Sequence, residues 1–148
     1  MKITVINGPN LNMLGSREPD VYGGESYADL EAYIEKYAEE AGVEAVVLQS
    51  NCEGEIIDYI QYAMGASDAI VINPGAYTHY SYAIYDALKS VSLPTVEVHI
   101  SNIHKREEFR HKSVTAPACI GQICGLGFRG YTLAIDYLIE NVKTIEAE

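Results

Sequence analysis

The sequence predicts an α/β protein in which a parallel β-sheet is covered by helices on both faces. Short runs of β-branched and aliphatic residues alternate with longer segments in which apolar residues recur every three or four positions. This alternation is typical of βαβ units and a sheet buried on both sides. The chain has 148 residues and no internal repeat or linker, so we expect residues 1–148 to form one domain.

Five segments have the composition of buried strands. The apolar, β-branched runs predict strands at Ile3–Ile6, Val43–Leu48, Ala69–Ile72, Thr95–His99 and Ala118–Ile123. Five parallel strands in a chain of this length indicate a flavodoxin-like, three-layer αβα sandwich with the strand order 2-1-3-4-5.

Helices are predicted between these strands. Ser26 has the position of an N-cap, with Asp29 three residues later, and Gly42 marks the end of that helix near residue 41. The apolar periodicity predicts further helices from Glu53 to about Met64, from Thr78 to about Ser90 and from Tyr131 to about Val142, and one or two helical turns at Lys105–His111.

Composition argues against several classes of protein. The net charge of −11 argues against nucleic acid as a partner, because phosphate binding requires a basic surface. No apolar run reaches membrane-spanning length, and the chain opens on a strand without a signal-peptide pattern, so a cytoplasmic protein is expected. The cysteines, Cys52, Cys119 and Cys124, lack paired zinc-ligand spacing and are expected to be free thiols.

One short segment is rich in cationic residues. Arg106 and Arg110, two of only four arginines, lie there with two lysines and two histidines. In so acidic a protein the segment indicates either an anion-binding site or a solvated helix face balanced by Glu107 and Glu108. The segment by itself is compatible with both.

Polar residues follow the predicted strands at the edge where such sheets bind ligands, outside the carboxyl ends of the strands. Asn10 follows the first strand, and Asn73 and His79 follow the third. His99 ends the fourth strand, and alternation puts Glu97 on the same side, where its carboxylate would orient the imidazole or support its charge. A lone histidine is more often structural, but convergence from three strands favours a site.

The connection after the first strand, Asn7 to Gly23, is far longer than the roughly two to six residues usual between a strand and a helix. It carries Arg17 and Tyr22 among turn-forming glycine, proline and asparagine. An ordinary surface loop is the simpler interpretation. The polar cluster at the strand ends instead favours a lid at about Ser16–Gly23 that becomes ordered when ligand binds.

The sequence contains no common motif for a cofactor or a covalent nucleophile. GxGxxG and a Walker loop do not follow the first strand, GxSxG does not occur, and no histidine is placed to activate Cys52. The predicted site therefore combines tyrosine, histidines, amides and arginines, with neither cofactor nor metal. That set suits proton transfer on an anionic, hydroxylated small molecule.

Five blocks, in order and at compatible spacing, resemble the type II 3-dehydroquinate dehydratases of the shikimate pathway. The blocks read NGPNLNMLGSREPDVYG, LQSNCEGEIIDYIQYA, INPGAYTHYSYAIYDAL, VEVHISNIHKREEFRHKS and GLGFRGY. The resemblance runs from the first strand to the last helix. It implies elimination of water from 3-dehydroquinate through an enolate, giving 3-dehydroshikimate on the route to chorismate and the aromatic amino acids.

The resemblance also implies a role for each matching position. Tyr22 matches the general base, and Arg17 matches the arginine that keeps this tyrosine reactive. His99 matches the general acid, with Glu97 in its supporting position, and Asn10 matches the residue that orients a water beside the enolate. The positions that match substrate-binding residues are Asn73, His79, Asp86, Ile100, Ser101, Arg106 and Arg110, with Ile100 and Ser101 acting through their backbone.

By resemblance, a homododecamer built as a tetramer of trimers is expected. Two alternatives stand beside this interpretation. One is a non-catalytic flavodoxin-like module that binds a nucleotide, a flavin or another anion at the same strand edge; the missing phosphate loop and the acidic composition disfavour it. The other is a lyase or isomerase that acts on a different polyhydroxy carboxylate.

Overall fold

Five parallel strands form one sheet in the order 2-1-3-4-5, which confirms the predicted fold class and strand order. The computed structural model describes residues 1–16, 20 and 25–147. The strands are β1 (Lys2–Asn7), β2 (Glu44–Gln49), β3 (Ala69–Asn73), β4 (Thr95–His99) and β5 (Gly121–Cys124). The α-helices are α1 (Tyr27–Glu40), α2 (Glu53–Ala63), α3 (Tyr82–Val91) and α4 (Arg129–Ala147). Within the described ranges, none of these helices has the length and apolarity needed to cross a membrane.

Two apolar clusters, one on each face, hold the helices against the sheet. Because side chains alternate along a strand, Val5 and Val71 join the cluster that contains α1 and α4. Ile6 and Ile72 join the cluster that contains α2 and α3. The central strands β1 and β3 are therefore buried on both faces, which explains their nearly continuous apolar sequences.

The predicted beginning and end of α1 are confirmed. Ser26 Oγ accepts the Asp29 backbone N–H at 3.1 Å, and an Asp29 carboxylate oxygen accepts the Ser26 N–H at 2.9 Å. This reciprocal pair satisfies two donors that a helix otherwise leaves unpaired. Gly42 follows the helix with φ of 76°, a conformation that favours glycine.

The third helix begins later than predicted. The prediction began it at Thr78, but Gly75–His79 forms a 3-10 helix, and α3 starts at Tyr82. Ser81 is the N-cap, because its Oγ accepts the Ile84 N–H at 3.1 Å.

Near the C-terminal end, the predicted strand at Ala118–Ile123 is shifted to Gly121–Cys124. Ala116–Ala118, with a proline in its first turn, forms a 3-10 helix, so the strand begins only at Gly121. The last helix begins at Arg129, two residues earlier than predicted. The predicted helical turns at 105–111 occur as two 3-10 turns, Ile103–Lys105 and Glu108–Arg110.

The loops that follow β1 and β3 touch at the carboxyl edge of the sheet. The Gly8 N–H donates to the Asn73 carbonyl over 2.7 Å. A Cβ on Gly8 would lie 2.3 Å from the Pro74 carbonyl oxygen, which is shorter than any real contact. Gly75 has φ of +60°, and a Cβ there would lie 3.1 Å from the Pro9 carbonyl oxygen. Glycine at both positions therefore allows the two loops to meet.

We expect Gly8→Ala to lower the free energy of unfolding by about 1–3 kcal/mol, because its methyl group would overlap backbone atoms. Gly54→Ala in α2 is the matched control, since a Cβ there meets nothing within 4 Å. Alanine favours a helix, so this control should retain or raise the melting temperature. Calorimetry of both variants measures the difference, and equal stability of Gly8→Ala and wild type would contradict the close approach.

Candidate active site

A cleft opens at the carboxyl edge of the sheet, between the loops that follow β1, β3 and β4. The 3-10 turns after β4 form its outer wall. Seven of the residues predicted from the sequence line this cleft: Asn10, Asn73, His79, His99, Ser101, Arg106 and Arg110. The structure thus brings together residues that are up to 100 positions apart in the chain.

Glu97 and His99 form a buried pair at the end of β4. Glu97 is 0% exposed and His99 is 6% exposed. His99 Nε2 lies 3.0 Å from Glu97 Oε2. Because a carboxylate only accepts hydrogen bonds, Nε2 carries a proton. Nδ1 is therefore the ring nitrogen that remains for proton transfer with a ligand.

Four further donors surround the Glu97 carboxylate. Gln122 Nε2 donates to Oε2 over 2.6 Å, and the Ser113 and Thr78 hydroxyls lie 2.8 and 3.1 Å from the same oxygen. The Thr115 hydroxyl donates to Oε1. These donors come from three different segments of the chain, the 3-10 helix after β3, the irregular segment at 113–115 and β5, so the carboxylate joins those segments.

These hydrogen bonds determine the charge of Glu97. Burial alone raises the pKa of its carboxyl. The hydrogen bond and charge of His99, together with the bonds from Thr115 and Gln122, outweigh burial and hold that pKa below its ordinary value of 4.5. Glu97 is therefore ionised at neutral pH and stabilises a protonated imidazole.

Sequence reasoning did not identify Ser113, Thr115 or Gln122. A signal for Gln122 was nevertheless present, because this polar residue lies in the predicted fifth strand. In the structure it is paired with Glu97 in the β4–β5 register. A glutamate in a buried strand requires donors, and a polar residue on the neighbouring strand is the nearest source of one. Ser113 and Thr115 lie in an irregular segment, where no periodicity indicates their direction.

His79 is held as a neutral imidazole. Its Nδ1 lies 2.8 Å from the Lys112 carbonyl oxygen, which only accepts, so Nδ1 carries the proton. Burial lowers the pKa of His79, and the hydrogen bond to the Lys112 carbonyl raises it by a smaller amount. The lone pair on Nε2 is therefore available to accept a hydrogen bond from a ligand hydroxyl.

Arg106 and Arg110 both line the cleft, which supports the anion-binding interpretation of the cationic segment. Arg106 Nη1 lies 3.4 Å from Ser101 Oγ. Arg110 Nε donates to Glu107, and its guanidinium carbon lies 4.7 Å from the centre of the Phe109 ring. Glu107 also offsets part of this positive charge, because its hydrogen bond from Arg110 lowers the pKa of the Glu107 carboxyl.

Asn10 reaches the cleft through an unusual backbone conformation. Its φ of 68° is in the left-handed region, which asparagine tolerates better than most residues. Its N–H donates to Asn51 Oδ1 over 3.0 Å. The loop after β1 is thereby tied to the loop after β2.

Asp86 and Ile100, two further predicted residues that the structure describes, do not line this cleft. Asp86 lies on the exposed side of α3. Ile100 is buried, and only its backbone was expected to act. Arg17 and Tyr22, with most of the predicted lid at Ser16–Gly23, lie outside the described residues.

The three cysteines are free thiols. Burial raises the pKa of Cys119 to about 12 and that of Cys124 to about 11, with a further contribution from the charge of Glu97. Neither thiol is therefore a ready nucleophile. Across the part of the chain that the structure describes, no three His, Cys, Asp or Glu side chains group to hold a metal ion.

We expect Thr115→Val to lower the free energy of unfolding at neutral pH by about 1–3 kcal/mol, because it removes a donor from a buried charge. Thr4→Val is the matched control, because Thr4 is also buried and its hydroxyl bonds a neutral group, the Ser67 hydroxyl, at 2.6 Å. That neutral bond should contribute about 0.5–1.5 kcal/mol.

The effect of Thr115→Val should depend on pH. Because the folded-state pKa of Glu97 is lowered, its stabilising contribution is present above the unfolded pKa and is lost as pH falls through the folded pKa. The difference from wild type should therefore shrink in acid, as urea titrations over a pH series would show. A difference that does not change with pH would mean that folded Glu97 is already protonated.

The sequence matches known proteins over nearly its full length. The family model described as dehydroquinase class II matches residues 1–139. The 3-dehydroquinate dehydratase of Clostridium acetobutylicum is 64% identical over 138 residues, which cover 93% of this chain and 96% of that protein.

Solved structures resemble this chain in fold and sequence. The crystal structure of type II dehydroquinase from Butyrivibrio crossotus superposes with a TM-score of 0.93 at 60% identity, covering 94% of this chain and 97% of the other. Type II dehydroquinase from Propionibacterium acnes gives a TM-score of 0.90 at 46% identity, covering 93% and 94% of the two chains.

Proposed function

Because the chain belongs to the class II dehydroquinase family, we propose that it is a 3-dehydroquinate dehydratase, a hydro-lyase of the shikimate pathway. The reaction is the trans-elimination of water from 3-dehydroquinate to give 3-dehydroshikimate. The observation that carries this proposal is the buried Glu97–His99 pair, which opens on a cleft lined by Arg106 and Arg110. This cleft therefore places a proton donor, His99, near cationic groups that fit an anionic substrate.

The first step removes the proton beside the substrate ketone. In our proposal the phenolate of Tyr22 takes this proton, and the electron pair of the C–H bond moves to the ketone oxygen as an enolate. A phenol is a weak base until it ionises, and the guanidinium of Arg17 favours the ionised form. Asn10 at the cleft would orient a water that donates to the enolate oxygen.

The second step expels the hydroxyl group. The enolate re-forms the ketone, its electron pair forms the new carbon–carbon double bond, and the bond to the leaving oxygen breaks. His99 donates its Nδ1 proton to that oxygen, so the group leaves as water. Ionised Glu97 supports the charged imidazole before this transfer. Neither step requires a metal, a cofactor or a covalent intermediate.

The other cleft residues hold the substrate. The backbone at Ile100 and Ser101 receives the substrate carboxylate, and Arg106 and Arg110 supply positive charge near it. His79 accepts a hydrogen bond from a substrate hydroxyl through Nε2, in keeping with its neutral tautomer.

We further propose that the enzyme is a cytoplasmic homododecamer, a tetramer of trimers, and that Asp86 acts in the cleft of a neighbouring copy. Asp86 lies away from its own cleft, on the exposed side of α3. Tyr82, one helical turn earlier on the same side, is 67% exposed, as expected of an aromatic residue at an interface.

Purified wild-type protein should convert 3-dehydroquinate to a product that absorbs in the near-ultraviolet, because the new double bond is conjugated with the carboxylate. Tyr22→Phe should bind substrate but lose at least about a thousandfold in kcat, since it removes a general base. Product formation by Tyr22→Phe at the wild-type rate would reject Tyr22 as the base. No product from wild type would reject the proposed function and favour a non-catalytic anion-binding module.

Co-expression of two inactive variants tests the position of Asp86. His99→Ala lacks the acid, and Asp86→Asn lacks the carboxylate. In a mixed assembly, an intact cleft on the Asp86→Asn copy would meet an intact Asp86 from the His99→Ala copy. We expect the mixture to recover a measurable fraction of wild-type kcat, whereas each variant alone stays inactive. No recovery in assemblies shown by mass spectrometry to be mixed would contradict a role across the interface.

A further inference from the structure

Three buried side chains beneath the cleft form a hydrogen-bonded chain that the proposed steps do not use. Asn7 and Tyr131 are 0% exposed, and Asn73 is 3% exposed. The Tyr131 hydroxyl donates to Asn7 Oδ1 over 2.7 Å. Asn73 Nδ2 donates to the Tyr131 oxygen over 2.9 Å. The chain joins the ends of β1 and β3 to the first turn of α4.

The backbone amide of Gly75 determines the direction of these bonds. Its N–H only donates, and Asn73 Oδ1 accepts it over 3.1 Å. The oxygen of the Asn73 amide therefore faces Gly75, and its nitrogen faces Tyr131. Because the Tyr131 oxygen accepts from that nitrogen, its own proton is directed to Asn7. The direction of all three hydrogen bonds thus follows from the backbone N–H of Gly75.

We propose that Tyr131, supported by Asn7, is a positioning residue that fixes the Asn73 amide so that one N–H is presented to the cleft. Gly75 occupies the Asn73 oxygen, and Tyr131 occupies one of the two N–H groups. The group left for a ligand is a single donor, on a residue that lines the cleft. Asn73 then selects an oxygen acceptor on the substrate, such as a hydroxyl lone pair. This inference rests on the proposed function and assigns one of its binding contacts a direction.

The hydrogen-bonded chain of Asn7, Tyr131 and Asn73 also lowers the stability of the fold at one atom. Asn7 Nδ2 is buried and has no acceptor at hydrogen-bond distance among the residues that the structure describes. Burial raises the pKa of the nearby Tyr27 to about 12, and the Asn7 side chain lowers it in part. A buried donor left unpaired destabilises the fold, so the bond that Asn7 Oδ1 accepts from Tyr131 comes at an energetic cost.

Steady-state kinetics with 3-dehydroquinate test the proposal as a double-mutant cycle. Tyr131→Phe should raise KM about tenfold and leave kcat within about twofold, the pattern for a substrate contact that is equally strong in the ground and transition states. In an Asn73→Ala background the same substitution should change KM less than twofold, because the residue through which it acts has gone. Tyr137→Phe, on the same helix and 54% exposed, is the matched control and should behave as wild type.

The outcomes separate this inference from the function on which it rests. Turnover by wild type, with the KM effects of Tyr131→Phe and Asn73→Ala multiplying independently, would overturn the positioning role alone. A fall in kcat with unchanged KM would indicate a structural loss and would also overturn it. No turnover by wild type would overturn both. If Tyr131→Phe does not fold, Asn7→Leu removes the acceptor for the Tyr131 proton and should show the same rise in KM and the same dependence on Asn73.

Discussion

The ionised carboxylate of Glu97, fully buried at the end of β4, is the interaction on which the site depends. Moving a carboxylate out of water costs several kcal/mol unless hydrogen bonds and an opposite charge replace the lost hydration. The hydrogen bonds from His99, Thr78, Thr115 and Gln122 are among the interactions that replace this hydration. Folding is therefore favourable only when the segments that carry these donors reach the carboxylate.

That requirement also places residues that do not touch Glu97. Thr78 immediately precedes His79, so a bond to the carboxylate fixes the 3-10 helix that directs this imidazole at the cleft. Ser113 ends the segment that contains Arg106 and Arg110, and its bond to Glu97 holds that segment against the sheet. One buried charge thus positions His99, which we propose as the acid, together with His79 and both arginines.

Much of the fold and part of the site were predictable from the sequence. The strand order followed from alternating apolar runs, and the cleft followed from the polar residues at the strand ends. The start of α3 was not predictable from periodicity, because Ser81 caps the helix while Thr78 bonds Glu97 across space. Such long-range bonds leave no local pattern in the sequence.

The position of Asp86 shows a second limit. Resemblance assigns a residue to a site but does not say which copy of the chain provides it. The apolar stripe of α3 faces the core through Ile84 and Leu88, and that geometry turns Asp86 outward. The proposal that Asp86 acts in the cleft of a neighbouring copy therefore rests on this outward position and not on the sequence.

Neutron diffraction from crystals grown near neutral pD would test the central claim most directly, because it shows where the exchangeable hydrogens lie. The account predicts a deuteron on His99 Nε2, directed at Glu97, and none on either oxygen of the Glu97 carboxylate. A deuteron on Glu97, or an Nε2 without one, would contradict it. The buried group would then be a neutral acid, without the charge needed to support a protonated His99.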